Sequence, residues 1–222
     1  MKKSAKAISI IGGADGPTSI FIAGSHKEKN IFRRIKSAYI NRKYKRKRAL
    51  AAKSIFPNPH TIEEVILYIK QQYSAFEADD SYYCYQKRKR DMKMALIQRE
   101  KPELLGGEKH FDPPSDLQDM EAVSKWLRKL DDYIHDCERK TELISNEVFP
   151  VDYHLFLINK EEQGTLEVEI ETLRSLLSVS WSGDKKIMEP ISKDIYLYYG
   201  VSQKDIDEKT ERYLGLLACL SS

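Results

Sequence analysis

The chain has almost no long apolar stretch. Nowhere do its 222 residues offer the roughly 18 uninterrupted apolar positions that a membrane-spanning helix requires. Residues 7–24 come nearest, and Gly12, Gly13, Asp15, Gly16 and Pro17 interrupt them. Cysteine is equally scarce. Cys84, Cys137 and Cys219 are odd in number and widely separated, which excludes a disulfide framework and suits a reducing compartment. Neither Cys-x-x-Cys nor His-x-x-x-His spacing occurs, so no metal site is expected. The third shortage is local. The first 56 residues contain only two acids, Asp15 and Glu28.

Against those two acids stand 15 Lys and Arg, so the remaining 166 residues hold 22 basic and 32 acidic side chains. The overall charge of +3 conceals a basic arm joined to an acidic body. The densest part is Arg42-Lys43-Tyr44-Lys45-Arg46-Lys47-Arg48, preceded by Arg33, Arg34 and Lys36. Ile31, Ile35 and Ala38 recur at helical spacing, with Phe32 and Tyr39 on an adjoining stripe. A basic amphipathic helix is expected from about 28 to 54, with no Gly or Pro between residues 28 and 54 to stop it. Such a helix has three possible partners: an anionic membrane surface, a nucleic-acid backbone, or the chain's own acidic remainder.

Pro57-Asn58-Pro59 is the expected boundary, because X-Pro positions resist helix and the charge changes sign there. This gives an arm over 1–56 and one α+β domain over 57–222. Thr61-Ile62-Glu63-Glu64 has capping-box spacing and leads an apolar face of Ile62, Val65, Ile66 and Ile69. A second helix is expected over 84–99 with Tyr85, Met92 and Leu96 inward and residues 87–90 as a solvated basic face. Ser115-Asp116-Leu117-Gln118 offers another capping box, ahead of an amphipathic run through Met120, Val123, Leu127, Leu130, Ile134 and Cys137.

The period then shortens to two. A strand apolar on both faces is expected from Val151 to Ile158. After a Gln163-Gly164 turn comes a strand whose Leu166, Val168 and Ile170 alternate with Glu167, Glu169 and Glu171, implying one wet acidic face. A third strand runs through 176–181. The expected architecture is α+β: helices, a small antiparallel three-strand meander, then two C-terminal helices over 185–199 and 203–220.

Chemistry is thinly represented. Asp152 and His154 share a strand face and could form a dyad, though a histidine with no catalytic role is the commoner case. The three glutamates could bind metal or move protons, facing lysines would neutralise them equally well, and a solvated face is far commoner than either. Tyrosines 82, 83 and 85, and 196, 198 and 199, suit either a contact surface or a core rim. No catalytic residue, cofactor or small-molecule substrate is assigned.

One motif remains. Residues 8–21 read Ile-Ser-Ile-Ile-Gly-Gly-Ala-Asp-Gly-Pro-Thr-Ser-Ile-Phe. The spacing Gly12-Gly13-x-x-Gly16 matches neither the dinucleotide fingerprint nor the P-loop. The bare residues suggest a strand, a tight turn and a short helix. The segment resembles the GGADGPT signature of the β subunit of sodium ion-translocating decarboxylases, over about fourteen residues. That resemblance implies Asp15 as a sodium or proton ligand, with Gly12, Gly13, Gly16 and Thr18 shaping its loop, and sodium as the bound ion. It also implies an accessory or truncated β subunit within a pump complex. The reading drawn from the whole sequence is instead a non-enzymatic interaction protein in the cytoplasm. Its arm would bind an anionic membrane surface at the inner face of the membrane, an anionic protein partner, or nucleic acid.

Overall fold

A computed structural model describes residues 7–13, 16–23, 31–107, 109–117 and 119–222, with backbone only before residue 35. The chain divides into two compact units, residues 60–195 and residues 1–59 together with 196–222.

The larger unit is built on a four-stranded antiparallel sheet in the order β3-β4-β5-β6, numbering strands along the chain. Its strands are β3 (Phe76–Ala78), β4 (Tyr153–Asn159), β5 (Gly164–Glu171) and β6 (Leu176–Gly183). The α+β class and the β4-β5-β6 meander match the sequence reading, while β3 adds a fourth strand at one edge. Three residues are too few to show an alternation, which is why β3 was not visible in the sequence. On one face of the sheet, Tyr153, Leu155 and Leu157 of β4 join Leu96, Ile97, Leu105 and Cys137 in a buried cluster. Those partners come from α3 (Tyr85–Glu100), a following 3-10 turn (Pro102–Leu105) and α4 (Met120–Leu143). On the other face, α2 (Ile62–Tyr73) places Lys70 Nζ 5.0 Å from the ring centroid of Phe156. Helices therefore cover β4 from both sides, and it is buried from Leu155 to Ile158.

The capping box at Thr61 forms as expected. The Thr61 hydroxyl accepts from the Glu64 amide at 3.2 Å, and the Glu64 carboxylate accepts from the Thr61 amide at 2.7 Å. The second expected box does not set the start of α4. Asp119 caps it instead, accepting from the amides of Glu121 and Ala122. An Asp at the N-cap satisfies two otherwise orphan amides, so the helix begins at Met120.

In the smaller unit, β1 (Ala7–Gly13) pairs antiparallel with β2 (Gly16–Ala23), placing Gly13 opposite Gly16. The short helix expected after the glycines is thus a second strand. Helix α1 (Ile31–Ser54) follows the basic run. The C-terminal part of the chain contains three helices where two were expected: α5 (Lys185–Tyr199), which lies mostly in the larger unit, then α6 (Gln203–Glu208) and α7 (Glu211–Ser221). Lys209 adopts a left-handed conformation with φ 52° and ends α6, its amide bonded to the Asp205 carbonyl. No Gly or Pro announces that break in the sequence.

Helix α1 is rooted at its C-terminal end. Ala51 and Ile55 are buried with Val201, Tyr213, Leu216 and Leu217. The Asn58 amide donates to the Val201 carbonyl at 3.0 Å. Gly200 permits the close approach: its φ is +57°, and a Cβ there would stand 2.1 Å from the Asn58 carbonyl oxygen. The Arg212 guanidinium lies 3.6 Å from the Tyr199 ring centroid and donates to the Gly200 carbonyl.

Candidate functional site

Between residues 35 and 50, α1 is exposed at every position, including Ile35, Tyr39, Ile40, Tyr44 and Leu50. The helix holds ten Lys and Arg and no acid. Lys36, Arg42, Lys43, Lys45, Arg46, Lys47 and Arg48 are exposed, and among the described residues none forms an ion pair. Lys47 Nζ alone has a hydrogen bond, 3.4 Å to the Ser222 carbonyl oxygen. Arg33 and Arg34 fall on the helix backbone, and their side chains lie outside the described residues.

The charges are not segregated to one side. At about 100° per residue, Ile40, Tyr44, Ala51 and Ile55 share one face, whose C-terminal half is the seam with α7. Opposite that seam runs the row Tyr39, Arg42, Arg46. To one side of the row stand Lys36, Lys43 and Lys47, and to the other Lys45 and Arg48. Of the expected apolar stripe, Ile35, Ala38 and Tyr39 do fall on the side of this row, where Arg42 and Arg46 interrupt them. The face of Ile40 and Tyr44 holds no cation among the described side chains and leads into the seam.

The other basic run has a different surrounding. Residues 87–90, expected to be a solvated face, are half-buried. Arg88 donates to Glu169 Oε1 at 2.8 Å and also bonds Glu167. The Tyr82 hydroxyl donates to Glu167 at 3.2 Å, and the Tyr153 hydroxyl to Glu169 at 3.0 Å. Arg90 spans to Glu138 and Glu142 of α4. The acidic face of β5 is accordingly not wet. The side chains of Glu167 and Glu169 are 13% and 14% exposed, and Glu171 is fully buried, paired with Arg174 at 3.1 Å. Burial by itself would lower the Arg88 pKa, but the Cys84 sulfur and the two carboxylates more than reverse that, so the guanidinium stays charged. Burial, then the neighbouring Glu169 carboxylate, raises the Tyr153 phenol and keeps it a donor.

His154 is clasped between two carboxylates. Its Nδ1 lies 2.6 Å from Glu77 Oε1 and its Nε2 3.3 Å from Asp152 Oδ1. The Asp152 half of this arrangement was legible from a shared strand face. Glu77, on the short β3, was not. Burial would raise the Glu77 carboxyl, but the His154 hydrogen bond and charge, with Lys70, bring it below its ordinary value. Asp152 is lowered chiefly by the Thr172 hydroxyl. Both ring nitrogens are thus engaged, and the imidazole acts as a clasp between β3 and β4.

Of the residues singled out by the decarboxylase resemblance, Gly12 and Gly13 end β1, and Gly16 and Thr18 lie in β2. Asp15 lies outside the described residues. Among the described residues no group of three or more His, Cys, Asp or Glu could hold a metal ion, and no helix is long and apolar enough to cross a membrane.

By fold this is an α+β protein with an exposed basic helix. No family model, no curated protein and no solved structure matches the chain.

Proposed function

We propose that this protein is a non-enzymatic interaction protein, acting in the cytoplasm, that holds an anionic partner on helix α1. One observation carries the reading. Seven cationic side chains between residues 36 and 48 stand exposed and without ion pairs among the described residues, on a helix whose last turn is packed into a buried cluster. Leaving that many cations unneutralised on one rigid element raises self-repulsion, and a polyanion relieves it by exchanging its condensed counterions for them. The contrast with Arg88 and Arg90, each tied to facing carboxylates, supports the reading further.

The test compares the whole chain with a variant in which Arg42, Lys43, Lys45, Arg46, Lys47 and Arg48 are all changed to Gln. Both are run on a phosphate-bearing polymer matrix. The unaltered chain should elute at clearly higher salt, while circular dichroism shows the same helix content in both. Elution of both at the same salt overturns the reading.

A further inference from the structure

Resting on that reading, we infer that the anionic partner is double-stranded DNA, and that α1 enters its major groove with the row Tyr39, Arg42, Arg46 toward the base edges.

The arrangement of the charges argues for a groove. A membrane offers anions on one side of a helix, and an interfacial helix answers with an apolar face opposite a charged one. Helix α1 has cations along two flanks, Lys36, Lys43 and Lys47 on one and Lys45 and Arg48 on the other. A duplex groove presents phosphates on both sides of whatever lies in it, which fits two cationic flanks. The row between the flanks carries Arg42 and Arg46, one helical turn apart. Arginine is the side chain whose planar fork matches the paired acceptors of guanine in the major groove.

Dimensions agree. The exposed stretch from Ile35 to Leu50 extends about 24 Å at 1.5 Å per residue. A helix with side chains is about 10–12 Å across, and the major groove of B-form DNA is about 12 Å wide. The docking of α7 supplies an independent argument. It packs on the face that Ile40 and Tyr44 share, through Ala51 and Ile55, so the row Tyr39, Arg42, Arg46 points away from it. Packed helices are separated by about 8–10 Å. A flat surface approached by the Ile40 and Tyr44 face would meet α7 first. A groove approached from the opposite face lies on the side of α1 away from the seam.

The experiment is fluorescence anisotropy of a labelled DNA duplex of about 20 base pairs, roughly two turns, titrated with the full chain. Single-stranded DNA, an RNA duplex of the same sequence and vesicles containing phosphatidylserine serve as competitors. The duplex should bind, with the logarithm of affinity falling against the logarithm of salt at a slope of about −4. The change Lys43→Gln with Lys47→Gln should reduce that slope by about 2. Arg42→Lys with Arg46→Lys keeps the charge, so it should leave the slope alone while weakening the best-bound sequence about tenfold or more. The RNA duplex should compete poorly, because the major groove of A-form helices is too narrow and deep to admit side chains.

Equal competition by RNA duplex or single strands overturns groove insertion. Preferential binding to vesicles overturns DNA as partner. In both cases the proposal of an anion-binding helix survives. Binding to none of these polyanions overturns the inference and that proposal together.

Discussion

Two basic runs, one in α1 and one in α3, have nearly the same composition and opposite fates. In α3, Arg88 lies under Glu167 and Glu169 and Arg90 under Glu138 and Glu142, so these charges serve the fold. In α1, the charges from Lys36 to Arg48 are exposed and without ion pairs among the described residues. The difference lies in what faces each helix. A charge run acquires its meaning from neighbours that are distant in sequence, here strand β5 some 80 residues beyond Arg88.

The largest effect should come from breaking the α3 side of this comparison. Arg88→Met leaves Glu167 and Glu169 covered and without their cation, and should cost about 3 kcal/mol in urea unfolding. Adding Glu167→Gln and Glu169→Gln should recover part of that loss. A neutral Arg88→Met would mean that the glutamate face is solvated after all.

Acid should weaken the same unit next. The Arg174 hydrogen bond lowers Glu100 from its ordinary 4.5, and the Thr172 hydroxyl lowers Asp152 from 3.8. A carboxyl with a lowered folded pKa contributes stability that is complete above its unfolded value and is lost as the pH falls through the folded one. The urea midpoint should therefore be insensitive to these two groups above about pH 5 and decline below about pH 4. A midpoint that rises on acidification would contradict the assignment.

Neutralising α1 should barely affect stability. With residues 42, 43, 45, 46, 47 and 48 changed to Gln, the unfolding free energy should shift by less than about 0.5 kcal/mol. Retention on a polyanion should fall sharply. A large stability loss would show that these cations are structural, as those of α3 are.

The smallest effect expected is that of Asp15→Asn. If the basic helix acts alone, polyanion affinity and its salt slope should not change. The decarboxylase resemblance instead calls for sodium to stabilise the unaltered chain against heat more than potassium does, and for Asp15→Asn to abolish that difference. Thermal unfolding in the two salts reads it directly.

Much of the body was legible because its signals are local. The Thr61 to Glu64 capping box closes within one turn, and Leu166, Val168 and Ile170 mark β5 by simple alternation. The errors share a cause. Ser115 and Gln118 had the right spacing for a box, but Asp119 stood nearer the helix and bonded two of its amides. Strand β3 was too short to carry a pattern, and with it Glu77, the second partner of His154, went unseen. The glutamates of β5 looked wet because alternation reports which residues share a face, and nothing about what covers it.

The sequence by itself determined the longer elements, the α+β class and the polarity of charge along the chain, since propensity, capping and periodicity act over a few residues. Only the tertiary structure decided which cations are occupied. Arg88 and Arg90 found carboxylates on β5 and on α4, whereas the last turns of α1 found α7 and left residues 35–50 of that helix exposed. Pairing depends on three-dimensional proximity, and a run of lysines and arginines looks the same in sequence whether or not an acid lies within reach.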